Sequence, residues 1–307
     1  MLIQKWQDTD EGLKLFLPRE FNFDENINYL ARSSNECLFH IQNNRLSKAI
    51  QIGEETLIIE VSSEDNHYLK IRFLGVNKPT TAAIRAEVAC YVSNWFDLDR
   101  DLHPFYTMAK NDPLLAPAVN AFYGLRMIGI PDLFEALCWG ILGQQINLSF
   151  AYTLKRRLVE KFGRSVVHEG VTYWLFPSPK DIASLSPSEL ESLRMTKKKS
   201  EYLIGVAGQM VQGTLSKDLL VNVGIHKEAE KTLVKIRGIG PWTANYVLMR
   251  CLRYPNAFPI DDVGLHNAIK HRLGKEIKPT KDEIMKLAVN WTNWESYATF
   301  YLWRFLY

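Results

Sequence analysis

The stretch Lys235-Ile-Arg-Gly-Ile-Gly-Pro-Trp-Thr-Ala-Asn-Tyr246, followed by Phe258-Pro-Ile-Asp-Asp262, decides how the chain is read. A Gly-Ile-Gly turn separates two amphipathic segments. Before it, Ala229, Leu233 and Ile236 recur at helical spacing from His226 onward. After it, Pro241 suits the first position of a new helix running to about Arg253. Gly238 is explained locally as a helix terminator with positive φ. The same turn would also expose consecutive N–H groups at a helix N-terminus, a ready phosphate site. Lys235 and Arg237 flank it and suit that second use.

Working outward, the residues after about 118 read as helices. Asp132 caps a helix through Leu142, with Glu135 in capping-box position. Gly143-Gln-Gln-Ile-Asn147 breaks the pattern, and a second helix runs from Leu148 to Phe162. Further helices are expected at 196–213, 263–273, 280–290 and 295–306. The only strand-like stretch in this half is Val171–Phe176. The first part differs. Residues 12–18, 37–42, 47–52, 56–61 and 67–73 alternate or are β-branched, as strands of an antiparallel sheet do. Helices are expected at 24–32 and 80–96. No catalytic constellation stands out there, and His40 and His67 read as structural. The expected class is α+β: an N-terminal antiparallel-sheet lobe over 1–112, then an all-α domain over 113–307.

Composition narrows the function. The 307 residues carry a net charge of +3, unevenly spread. Residues 1–115 hold 12 Lys and Arg against 17 Asp and Glu; residues 116–307 hold 25 against 17. A basic second half suits a polyanion partner. No window approaches 18 consecutive apolar residues, so no membrane span is expected. The four cysteines, Cys37, Cys90, Cys138 and Cys251, are dispersed, which excludes a disulfide framework or zinc cluster by spacing and points to buried, reduced thiols.

Residues 233–246 resemble the helix–hairpin–helix of the DNA glycosylase superfamily that carries a Gly/Pro-rich loop and a catalytic Asp. The match is closer to its 3-methyladenine DNA glycosylase II (AlkA-type) branch. Ala136–Ile146 resembles that branch's helix and DNA wedge, Pro259–Asp262 its catalytic segment, and Trp294–Ala298 its C-terminal aromatic segment. The resemblance implies that Asp262 is the catalytic carboxylate, with Asp261 capping or supporting. It implies a base pocket of Trp242, Tyr246 and Trp294. It implies DNA contacts from Gly238, Gly240, Lys235, Arg237, Gln144, Gln145 and Lys199, with Gln145 at the wedge position. Each has a plainer reading: a helix cap, a core aromatic pair, a helix break, a solvated lysine run at 197–199. Strand-cutting relatives carry Lys where this chain has Trp242, so a monofunctional enzyme that leaves an abasic site is expected. Val263 stands where some relatives have Tyr, so substrate range does not carry over.

The implied substrate is double-stranded DNA with alkylated purines, with no cofactor and no metal. A monomer is expected, in the bacterial cytoplasm at the nucleoid, or in the nucleus for a eukaryotic source. Two alternatives stay open: a glycosylase for oxidised or deaminated purines, and a non-catalytic helix–hairpin–helix module.

Overall fold

The computed structural model describes residues 5–75 and 78–306. Strands β1 (Trp6–Thr9), β2 (Gly12–Phe16), β3 (His40–Gln42), β4 (Arg45–Ile52), β5 (Glu55–Ser62) and β6 (Tyr68–Leu74) form one antiparallel sheet in the order β1-β2-β6-β5-β4-β3. Alternation decides which face is buried: Leu46, Leu57, Ile59, Val61, Leu69 and Ile71 are fully interior. Asn43 and Asn44, both at positive φ, make the tight turn between β3 and β4. Helix α1 (Phe23–Leu30) precedes β3, and α2 (Ala82–Phe96) follows β6 and packs on β2 and β4. The strand β1 has no counterpart in the expected set, because its four residues are largely exposed and leave little apolar pattern.

Two short helices, α3 (His103–Ala109) and α4 (Ala116–Ala121), lead into the helical half. Helix α5 (Leu133–Leu142) is buried on nearly every side, which explains its continuous apolar sequence. Helix α6 (Leu148–Phe162) follows the Gly143–Asn147 break, and Asn147 caps it by accepting from Phe150 N at 2.8 Å. Then come β7 (Arg164–His168), β8 (Val171–Leu175), α7 (Pro179–Ala183), α8 (Pro187–Glu191), α9 (Lys197–Val211), α10 (Lys217–Asn222) and α11 (His226–Val234). The chain closes with α12 (Pro241–Arg250), α13 (Val263–Arg272), α14 (Lys281–Leu287), a 3₁₀ turn (Ala288–Trp291) and α15 (Glu295–Trp303).

The second half is mostly helical rather than all-α. The hairpin β7–β8 interrupts it, and Tyr173 and Leu175 pack on Ala49 and Ile58 of the N-terminal sheet. His40 seals the contact, its Nε2 donating to Thr172 O at 3.0 Å. Three of the four cysteines are buried; Cys90 is exposed, contrary to expectation, because it lies on the outer face of α2.

One apolar core runs through both halves. Polar links cross it as well. Asp97 accepts from Arg253 Nη1 at 3.0 Å and from the Tyr297 hydroxyl at 2.5 Å. Asp112 accepts from the indole N–H of Trp291 at 2.8 Å. Lys155 of α6 lies between Glu36 of the lobe (3.1 Å) and Glu135 of α5 (3.2 Å), all three nearly excluded from solvent. Glu135 therefore turns inward to an ion pair and does not complete a capping box, while Asp132 does cap α5 at 2.7 Å.

Candidate active site and nucleic-acid interface

The turn Lys235–Gly240 joins α11 to α12. Gly238 has φ +94°, and a Cβ there would stand 2.3 Å from Cγ of Tyr202. Only glycine meets both conditions. Gly240 is the N-cap of α12 and offers no side chain, so the first-turn N–H groups have no cap from the chain. Such a terminus attracts an anion through its free donors and its dipole. Lys235 and Arg237 are exposed beside it. Arg237 ion-pairs with Glu201 at 2.8 Å and lies over the Tyr202 ring.

Three expected DNA contacts fare differently. Gln145 is exposed, at φ +56°, and projects from the α5–α6 break as a wedge residue would. Gln144 does not face outward. Its Nε2 donates to Gly238 O at 2.9 Å and approaches Thr243 Oγ1 at 3.1 Å, so it braces the hairpin against the end of α5. Lys199 is buried, and its ammonium donates to Leu142 O at 2.7 Å. A cation at the last carbonyls of α5 complements that helix terminus; burial pushes the Lys199 pKa down. In this structure both side chains brace backbone carbonyls instead of projecting outward.

Asp262 is the N-cap of α13. Its Oδ1 accepts from Leu265 N at 2.7 Å and from the Trp303 indole N–H at 2.8 Å. Its Oδ2 accepts from the Trp242 indole N–H at 2.9 Å. The carboxylate thus has a fixed orientation set by three neutral donors, and among the described residues no ion pair involves it. Gly264 leaves the space for this arrangement: a Cβ there would meet Asp262 Oδ1 at 2.8 Å and Trp303 Nε1 at 3.2 Å. Capping belongs to Asp262 and not to Asp261, which points away and pairs with Lys281 at 2.5 Å. The approach to Asp262 is held at Ile260, whose carbonyl accepts from His266 Nε2 at 2.8 Å.

Three aromatic rings form a series beside the carboxylate. Trp242 and Tyr246 are 5.7 Å apart at 33°, and Tyr246 and Trp303 are 6.3 Å apart at 31°. The Tyr246 hydroxyl accepts from Arg250 at 3.0 Å; burial pushes its pKa up to about 12, opposed by that guanidinium. Trp294, expected in the pocket, lies elsewhere. At the N-cap of α15 it packs tilted against Phe105 and edge-to-face against Tyr297. The tryptophan that joins the site is Trp303, one helix length further on. The resemblance of Trp294–Ala298 stops short of it, but positions 296, 299, 300 and 303 share one face of α15. Extending that face by one turn would have found it. Val263, 61% exposed, leaves the neighbouring wall open.

A hairpin that presents N–H groups to a phosphate, set beside an oriented carboxylate and aromatic faces, defines a DNA-acting enzyme of the base-removing kind. Comparison with known proteins agrees. Residues 138–293 match the model of the HhH-GPD superfamily base excision DNA repair protein, and residues 4–137 that of the 8-oxoguanine DNA glycosylase N-terminal domain. The chain belongs to the HhH-GPD superfamily of base excision DNA repair proteins, and its partner is DNA. It is 54% identical over 302 residues to a DNA-3-methyladenine glycosylase of Bacillus subtilis, covering 98% of this chain and 99% of that one. Its fold is that of a 3-methyladenine DNA-glycosylase from Archaeoglobus fulgidus (TM-score 0.82, 20% identity, 95% and 97% coverage). It is also that of a Clostridium acetobutylicum 8-oxoguanine glycosylase/lyase in complex with double-stranded DNA (TM-score 0.76, 19% identity, 99% and 98% coverage).

Proposed function

We propose that the protein is a monofunctional DNA glycosylase of base excision repair that removes alkylated purines such as 3-methyladenine and 7-methylguanine. The observation that carries this is Asp262, held by two indole N–H groups and left without a cation. A purine alkylated at N3 or N7 bears positive charge and is a good leaving group. As the N-glycosidic bond lengthens, positive charge moves onto the sugar. An ionised carboxylate in a fixed place stabilises that charge and favours attack by water. The Trp242 and Tyr246 rings attract a cationic base by about 0.5–2 kcal/mol each.

The hairpin at Gly238–Gly240 anchors a phosphate and sets the register. The base leaves the stack, since its glycosidic bond is unreachable inside the duplex. Gln145 fills the gap. Asp262 then acts on the exposed sugar. Trp242 occupies the place where a lysine nucleophile would form a Schiff base, so the strand is left uncut. Working as a monomer in the bacterial cytoplasm is part of this reading. No helix among the described residues is long and apolar enough to cross a membrane.

The match of residues 4–137 to an 8-oxoguanine glycosylase N-terminal domain keeps oxidised purines as a second reading. One panel separates the two. Duplexes with 3-methyladenine, 7-methylguanine, hypoxanthine or 8-oxoguanine are incubated with the protein and free base is scored. Release of the methylated purines, with no borohydride-trapped adduct, is expected. Release of 8-oxoguanine alone, or a trapped covalent complex, would overturn the proposal.

A further inference from the structure

Asn245 sits in the middle of α12 and is 6% exposed. A buried primary amide is costly unless its donors and acceptors are used. Here all are used, and the partners lie on α11, at the start of α12 and in the segment before Asp262. Nδ2 donates to Glu230 Oε1 of α11 at 2.7 Å and to Pro241 O at the start of α12 at 3.0 Å. Oδ1 accepts from Phe258 N at 3.1 Å and from His226 Nε2 at 3.0 Å. Both neighbours of Nδ2 are acceptors only, which fixes the orientation of the amide.

Phe258 begins the segment that ends on Asp262. Ile260 N donates to Phe258 O and Asp262 N to Pro259 O, each at 2.8 Å. Position therefore passes from Phe258 to Asp262 through consecutive tight turns. An open pocket of about 180 Å³ lies between this segment and α11–α12, lined by His226, Trp242, Asn245, Phe258 and Asp261 among others, and the Asn245 amide bridges it. We propose that Asn245 is a positioning residue: its amide ties the Asp262 segment to both helices of the phosphate-anchoring hairpin, so that the register of the DNA and the place of the carboxylate are set together. This rests on the glycosylase reading above.

In Asn245→Asp a carboxylate oxygen replaces Nδ2 and faces Glu230 and Pro241 O, so the tie is repelled. Misplacement of a reacting group by about 1 Å costs on the order of 10²-fold in rate. Single-turnover release from an alkylated duplex is expected to fall by about 30-fold or more, while affinity for a duplex with a tetrahydrofuran abasic analogue stays within about threefold. In the double variant E230Q/N245D the donor and acceptor change places, and at least about tenfold of the rate is expected to return. Asn245→Ser, which adds no repulsion, serves if N245D does not fold; its loss should be about tenfold. A folded N245D or N245S with wild-type rate, or a folded double variant no faster than N245D, overturns the proposal. If wild-type protein releases no base, the glycosylase reading fails instead. Hydrogen exchange of residues 256–262 then still reads the tie: faster exchange in N245S supports it, and unchanged exchange refutes it.

Discussion

Two carboxylate environments in this molecule look alike in burial and differ in purpose. Glu36, at the seam between the lobe and the helical half, is matched by the Lys155 ammonium, which also serves Glu135. Burial pulls the Glu36 carboxyl up, but Lys155 and the Leu38 N–H outweigh it and hold it below the ordinary range. Lys155 in turn is held above its ordinary value by the two glutamates, against its own burial. Asp262 has three hydrogen bonds and no counter-ion. A charge that holds structure is neutralised where it stands. On the proposed reading, the Asp262 charge is oriented by neutral donors and left to be met by the substrate.

The contrast can be broken at either end. The largest effect belongs to Asp262→Asn. Base release should fall by about 10³-fold or more while DNA affinity changes little, measured by single-turnover release and fluorescence anisotropy. Next is Lys155→Met, which leaves two buried carboxylates without their ion-pair partner. It should cost about 3–5 kcal/mol in urea denaturation. Release per folded molecule should stay near wild type, because the trio does no chemistry. Trp303→Phe keeps a ring but removes one donor to Asp262. A hydrogen bond to a charged group is worth about 1.5–3 kcal/mol, so the rate should drop by about ten- to a hundredfold. The smallest effect is confined to acid. Because the folded Glu36 value lies below 4.5, its stabilisation is complete above pH 4.5 and is lost as pH falls through the folded value. Urea midpoints of wild type should decline in that window, and those of Glu36→Gln should decline less.

Much of this was readable before any coordinates, for reasons that differ by residue. The hairpin was legible because Gly238 and Pro241 are local necessities of backbone geometry. Asp262 was singled out by the resemblance of Pro259–Asp262 to the family's catalytic segment, since the residues alone read equally as a helix cap, which Asp262 is. The lobe was legible because period-two burial writes itself into β4, β5 and β6. What failed depended on side-chain direction. Lys199 and Gln144 are polar and lie next to the interface, yet both turn toward backbone carbonyls. Trp294 and Trp303 are equally aromatic, and only the packing of α15 tells which one meets the carboxylate. Asn245 carried no signal, since one amide in an apolar helix does not announce four partners.

The links from Asp97 and Asp112 to Tyr297 and Trp291 bear on how the gene can be dissected. The family models divide the chain at residues 137 and 138, but the last helix takes its footing from residues well before that point. Tyr301 makes the same demand, meeting the Tyr106 hydroxyl at 2.6 Å and donating to Leu125 O at 2.7 Å. A fragment beginning at 138 would keep Asp262 and the hairpin, yet expose the aromatic underside of the helix that carries Trp303. The unit recognised by sequence is therefore smaller than the unit in which α15 finds all its partners.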